Sequence, residues 1–176
     1  MNIQLELLGT SKLLAKEWGA SISDAMIASL LHDIGKSMSD KEILSLCVRN
    51  NITMYDFELF ENVNALHEKV SALIFEEEFK GNDKKRMEVI SHAISTHSTG
   101  DINMNLIDKI VYISDNLDLK EEGKGMLKEI RKGQIRNPDY YVKEITKQKI
   151  QRSINRGQEQ YNPFLDATMK GEDLDR

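Results

Sequence analysis

The chain has 176 residues, 30% of them charged and 40% hydrophobic, with a net charge of −5. That length supports one domain with a proper core, or a domain with a small appendage, and two prolines with ten glycines are too few turn formers for an all-β design. The acidic balance leaves no electrostatic footprint for duplex nucleic acid, while the lack of a bilayer-length apolar run and of a signal peptide sets a cytoplasmic protein as the default expectation.

Taken in chain order, the pattern is helical almost throughout. Leu5, Leu8, Leu13, Leu14 and Trp18 make one apolar stripe that Gly19 stops. Ser21 to Asp24 offer capping oxygens ahead of an apolar second helix, Ala25 to Leu31, expected to be central to the core and to end at His32-Asp33. Ser39-Asp40-Lys41-Glu42 is a capping box for a third helix through about Val48. In that helix the single cysteine, Cys47, reads as a buried thiol. Thr53 to Glu61 is either a short helix or a loop.

Asn64 to Phe79 gives the clearest amphipathic pattern, with Leu66, Val70, Leu73, Ile74 and Phe79 expected to face inward. Lys84 to Thr96 follows, then a polar loop at Ser98-Thr99-Gly100-Asp101. Asn105 to Leu117 carries Leu106, Ile110, Ile113 and Leu117 on one side, and Glu121 to Lys132 reads as a charged, exposed helix. Asn137-Pro138 opens a last helix to about Arg156. The tail after Pro163 is polar and expected to fray. The expected architecture is one all-α domain of about eight helices, residues 1–165, with a polar C-terminal tail, 166–176.

Histidine is scarce, with four in the whole chain. Neighbouring residues on a helix do not share a face, so His32-Asp33 gains little as packing, yet both side chains can grip one ion where the helix ends. Lys36 is close enough to meet an anion bound there. His67 beside Leu66 and Val70 fits either a core histidine or a ligand, and His97 fits either a cap or a ligand. Asp115, inside an otherwise apolar segment, needs a partner or a compensating charge. Together, imidazole and carboxylate ligands from separate helix ends suit iron, manganese or zinc. His92 lies about 140° around the helix from His97 and is expected to stay outside that site, exposed or in support.

At this point the residues resemble a known family. His-Asp, His, His and Asp in this order are similar to the HD superfamily of metal-dependent phosphohydrolases. Within it they resemble the YqeK family, symmetrical hydrolases of diadenosine tetraphosphate. Leu31-His32-Asp33-Ile34-Gly35-Lys36, Leu66-His67-Glu68-Lys69-Val70, Ala93 to Gly100, Leu106 to Asp115 and Arg156-Gly157-Gln158 with Pro163 carry the likeness. It implies a single HD-domain helical bundle in which His32, Asp33, His67, His97 and Asp115 hold one or two metal ions, typically iron. Asp33 and Lys36 would be catalytic, with Asp33 orienting the attacking water and Lys36 stabilising charge on the phosphates. Lys36, Ser98, Thr99, Gly100 and Lys109 would bind a nucleotide or dinucleoside polyphosphate. A homodimer is a further family expectation.

The same resemblance implies one more metal histidine near Ile3 or Gln4, an arginine where this chain has Asp101, and a Glu-Pro-x-x-Arg stretch where Asp118-Leu119-Lys120-Glu121 stands. Either the chain starts late or its site is modified. The alternative function is therefore a degenerate HD domain that binds a nucleotide or a protein partner without catalysis.

Overall fold

A computed structural model describes residues 3–60, 62–117, 121–156 and 163–170. They form α1 (Ile3–Trp18), α2 (Ile22–Leu31), α3 (Asp40–Arg49), α4 (Asp56–Phe60), a 3-10 turn (Val63–Leu66), α5 (His67–Glu78), α6 (Lys84–Ser95), α7 (Leu106–Leu117), α8 (Glu121–Arg131), α9 (Pro138–Asn155) and α10 (Pro163–Lys170). No strand occurs among the described residues, and none of their helices is long and apolar enough to cross a membrane. Asp118 to Lys120 and Gly157-Gln158, which entered the family comparison, lie outside the described residues.

Local chemistry sets the helix ends. Ser21 caps α2 by accepting from the Asp24 N–H, and Ser39 and Glu42 complete a reciprocal capping box on α3. Asn137 caps α9 with Pro138 in its first turn. The chain then packs around α7. Ile110, Val111, Tyr112, Ile113, Ser114 and Leu117 are all fully buried, and α1, α2, α6, α8 and α9 surround this helix. Burying each large side chain there contributes roughly 1.5–3 kcal/mol. A smaller apolar cluster, Ile43, Cys47, Leu66 and Val70, joins α3 to the 3-10 turn and α5.

Several expectations need correction. The centre of the core is α7 rather than α2, whose Ile22 and Leu30 remain exposed; periodicity reports the helix's own apolarity, not how many neighbours cover it. The Asn64–Phe79 pattern splits into a 3-10 turn and α5, and Phe79 ends up 46% exposed, stacked on buried Phe75 at 5.6 Å. α8 is charged on one side only, since Leu127 and Ile130 are buried. Thr53 to Glu61 contains the short helix α4, and residues 163–170 form α10, in which Leu165 and Ala167 are buried, while residues 171–176 of the expected tail lie outside the described residues. These two elements are the additions to the eight expected helices.

Candidate metal centre

Three histidines sit at three helix ends, and each uses the same local device. The Nδ1–H of His32 donates to the Ser29 carbonyl at 2.9 Å, that of His67 to Asn64 at 2.5 Å, and that of His97 to Ile94 at 2.7 Å. Each acceptor lies three residues earlier, a carbonyl that a helix end leaves available. Fixing Nδ1 as the donor fixes the tautomer and turns every Nε2 lone pair toward the site.

Those nitrogens converge. His32 Nε2 lies 3.3 Å from Asp33 Oδ2 and 3.2 Å from Asp115 Oδ1. His67 Nε2 lies 3.1 Å from Asp33 Oδ1 and 3.1 Å from His97 Nε2. The result is two triads, His32–His97–Asp115 and Asp33–His67–His97, with His97 common to both and the donor atoms of each within 4.8 Å of one another. His32, His67 and His97 are buried.

With the Nδ1 atoms engaged on carbonyls, His67 and His97 face each other lone pair to lone pair. Asp33 Oδ1, also buried, finds no hydrogen-bond donor among the described residues. Acceptors packed against acceptors need a cation between them, so this donor set fits a metal ion. Imidazole with carboxylate is a donor set that several divalent metals accept.

The charges agree with that geometry. Burial alone would lower the His32 imidazole, but the Asp115 and Asp33 carboxylates outweigh it and push it up to about 10. Burial would raise Asp33, whereas its contacts with His32, His67 and His97 hold it far below the usual carboxylate range. Asp115 is also lowered, against its burial, by the His32 hydrogen bond and by the charges of His97, His32 and Lys149. In the absence of metal, a proton on His32 bridges the two carboxylates.

The other singled-out residues are placed as follows. Lys36 bonds Asp33 Oδ2 at 2.6 Å, its side chain half exposed. Lys109 directs its ammonium to Asp139 at the start of α9, 2.6 Å away, so it is not brought into the cluster. His92 also stays out, its Nδ1–H donating to buried Asp108 at 2.9 Å, with Asp101 4.0 Å from its Nε2. Cys47 is buried, and burial raises its thiol pKa. Gln4, from the stretch where a further histidine was expected, donates to the Leu30 carbonyl at 3.2 Å, two residues before His32.

The Ser98-Thr99-Gly100 loop, expected to line the substrate pocket, is tied inward by its donors. The N–H groups of Ser98 and Thr99 donate to Glu68 Oε2 at 2.9 and 3.1 Å, and the Thr99 hydroxyl donates to Glu68 Oε1 at 2.6 Å. These donors point into the protein. Glu68 is buried directly after His67, so one carboxylate ties the start of α5 to the loop after His97. Sequence reasoning passed over Glu68, although it lies four and seven residues before the buried Ala72 and Phe75, on their helical face. It also missed Lys149, whose ammonium donates to the Ser98 carbonyl and lies 4.9 Å from the Tyr112 ring centre. Lys149 continues the stripe Tyr141, Val142, Ile145, Thr146 along α9.

Two glycines permit close approaches. A Cβ on Gly35 would come within 3.2 Å of Ser71 on α5, whose hydroxyl accepts the Gly35 N–H at 3.0 Å. Gly100 adopts φ +74°, and a Cβ there would meet Thr168 of α10 at 3.0 Å. The first contact seats the His32-Asp33 turn beside α5, and the second seats the loop after His97 against α10.

Comparison with known proteins agrees with the geometry. The chain is 31% identical over 115 residues to a symmetrical bis(5'-nucleosyl)-tetraphosphatase of Halalkalibacterium halodurans, covering 65% of this chain and 58% of that protein. It is 27% identical over 112 residues to the protein of the same description from Bacillus subtilis, covering 64% and 57%. The matches thus span less than two thirds of these relatives. A Clostridium acetobutylicum structure, described as a predicted HD superfamily hydrolase involved in NAD metabolism, shares the fold. Its TM-score is 0.81 at 23% identity, over 96% of this chain and 86% of that one. The HD domain model matches residues 4–120, a stretch that contains all three converging histidines and both of their aspartates, and the chain belongs to the HD domain family.

Proposed function

We propose that the protein is a metal-dependent phosphohydrolase acting on a nucleotide, and that its reaction is the symmetrical cleavage of diadenosine tetraphosphate to two ADP. The observation that carries this reading is the pair of triads that meet at His97, with imidazole nitrogens and carboxylates facing one another as a metal ion's donors would. The two relatives named as symmetrical bis(5'-nucleosyl)-tetraphosphatases support the substrate. Iron is the proposed metal, with manganese and zinc compatible with the same donors.

Asp33 and His67 would hold one ion and His32 and Asp115 a second, with the single Nε2 lone pair of His97 available to either ion but not to both at once. When bound, the metals supply Lewis-acid charge to the phosphoryl oxygens and make the attacking water more acidic. Asp33 touches both groups, Oδ1 facing His67 and Oδ2 facing His32, and so keeps the two halves of the site in register. The carbonyls of Ser29, Asn64 and Ile94 hold the imidazoles in one orientation. Lys36, half exposed, is able to turn from Asp33 to a phosphoryl oxygen and stabilise charge developing there. A water oxygen bonds to one central phosphorus. The bridging oxygen leaves with the second ADP and takes up a proton.

Incubating metal-loaded protein with diadenosine tetraphosphate and separating the products tests this directly. ADP alone is expected. AMP with ATP would mean cleavage at a different bond and overturn the symmetrical assignment. The second reading, a nucleotide-binding module, is favoured by Asp101, a carboxylate 4.0 Å from His92 just past the His97 loop. ADP binding by calorimetry without turnover in iron, manganese or zinc would establish that reading instead.

A further inference from the structure

We infer that Lys149, with Arg152 one turn further along α9, forms a cationic wall that receives the phosphates of a nucleoside polyphosphate on the Asp115 side of the metal centre. This inference rests on the proposed nucleotide chemistry of the site. The argument starts from what the neighbouring groups already do. The loop after His97 would ordinarily offer an anion its backbone N–H groups, but those of Ser98 and Thr99, with the Thr99 hydroxyl, are turned onto Glu68. Lys109 is held at Asp139. Lys36 stands on Asp33, in the triad that contains His67.

Lys149 occupies the complementary position. Its ammonium donates to the carbonyl of Ser98, the residue after His97, and packs over the ring of Tyr112. Tyr112 precedes Asp115 by three residues, a rise of about 4.5 Å along α7. The cation therefore sits at the residue after His97 and on the ring of Tyr112, one turn before Asp115 on α7, while His97 and Asp115 belong to the triad that Lys36 does not touch. Arg152 lies three residues after Lys149, on the same face of α9, with its Nε–H donated to the Gln148 carbonyl at 3.1 Å. A chain of phosphates crossing the centre would meet Lys36 on the Asp33 side and the α9 pair on the Asp115 side. A substrate cleaved at its middle bond needs charge stabilisation on both sides. A nucleoside monophosphate would reach only one.

Lys149→Met and Arg152→Gln test the wall, with ADP and AMP binding followed by calorimetry and diadenosine tetraphosphate turnover followed in parallel. Removing a charge-assisted contact should weaken ADP binding and raise KM by roughly 10- to 100-fold, with a smaller effect on AMP and a smaller change in kcat. Lys149→Arg should retain most of the affinity. Unchanged ADP affinity and KM in both variants would overturn the wall. So would a Lys149→Met loss confined to metal content, with ADP affinity normal at saturating metal, because Lys149 would then serve only to hold the loop. If wild-type protein hydrolyses nothing but both variants still lose ADP affinity, the wall stands and the hydrolase reading falls. If wild-type protein neither hydrolyses the dinucleotide nor binds ADP, both fall.

Discussion

The two triads draw on different parts of the molecule. His32, His97 and Asp115 come from the ends of α2 and α6 and from α7, the elements whose apolar faces make the main core. The other triad needs His67, at the first turn of α5, where Leu66 and Val70 pack into the smaller cluster with α3. The first half of the centre is thus held by the best-packed part of the fold. The second depends on how well a satellite cluster is docked. Ligands on rigid, fully packed elements are placed more precisely, so damage to the satellite should reach the Asp33–His67 half first.

The largest effect that breaks this comparison is expected from the residue the halves share. His97→Ala removes the donor that either triad can draw on, so elemental analysis should find one ion at most, and the activity loss should exceed the roughly 10- to 100-fold typical of supporting partners. His67→Ala should keep close to one ion. Full metal content in either variant would mean that the triads do not hold the metal.

Next in size is the ion pair that anchors the satellite. Lys69 Nζ lies 2.8 Å from Glu58 Oε1 and also donates to the Thr53 carbonyl, and Glu58 is 0% exposed. Lys69→Met strands a buried carboxylate and should cost about 3–5 kcal/mol in denaturant unfolding. Pairing it with Glu58→Leu should return most of that stability, because a buried ion pair often exchanges for apolar packing without loss. At limiting metal, the single variant should lose occupancy on the Asp33–His67 side before the other.

A smaller effect should come from Glu68→Gln, which replaces an acceptor of three hydrogen bonds with a group that presents two N–H donors of its own. About 1–3 kcal/mol of stability should be lost, and metal affinity should fall at both halves, since Glu68 joins the start of α5 to the His97 loop. A fall at one half alone would show that the clamp serves only its own helix.

The parts of this fold that could be read before any coordinates are those that local chemistry decides. The α3 capping box and the Asn137-Pro138 start of α9 depend on a few adjacent residues and hold in the structure. The candidate ligands stood out because histidines and an aspartate inside apolar runs lack an easy structural explanation. What escaped depends on partners distant in sequence. α4, with five residues, is too short to be stable alone, and the pattern of α10 gains meaning only against α9 and Gly100. The apolar stripe of α7 suggested one buried face, whereas neighbours cover it nearly all round. How the five candidate residues fall into two triads, and that Glu68 takes the loop's donors, are properties of packing and have no counterpart in spacing.

The smallest expected effect is also the one that separates the halves most cleanly. In the metal-free protein His32 is raised to about 10 by Asp115 and Asp33, against its burial. Its contribution to stability is therefore fully present below the ordinary histidine value of about 6.5 and is lost as pH rises through about 10. Asp33 and Asp115 are lowered, so their contribution is present above the ordinary carboxylate range and is lost as pH falls below that range through their lowered values. At pH near 7 the His32 proton occupies the place of a cation, and a metal entering the His32–His97–Asp115 triad must displace it. Manganese titrations at that pH, in two buffers of different ionisation enthalpy, should report about one proton released per protein from this half. The release should persist in His67→Ala and vanish in His32→Ala. If it vanishes instead in His67→Ala, the proton resides between the facing Nε2 atoms of His67 and His97, and the satellite half, rather than the core half, is the one that titrates.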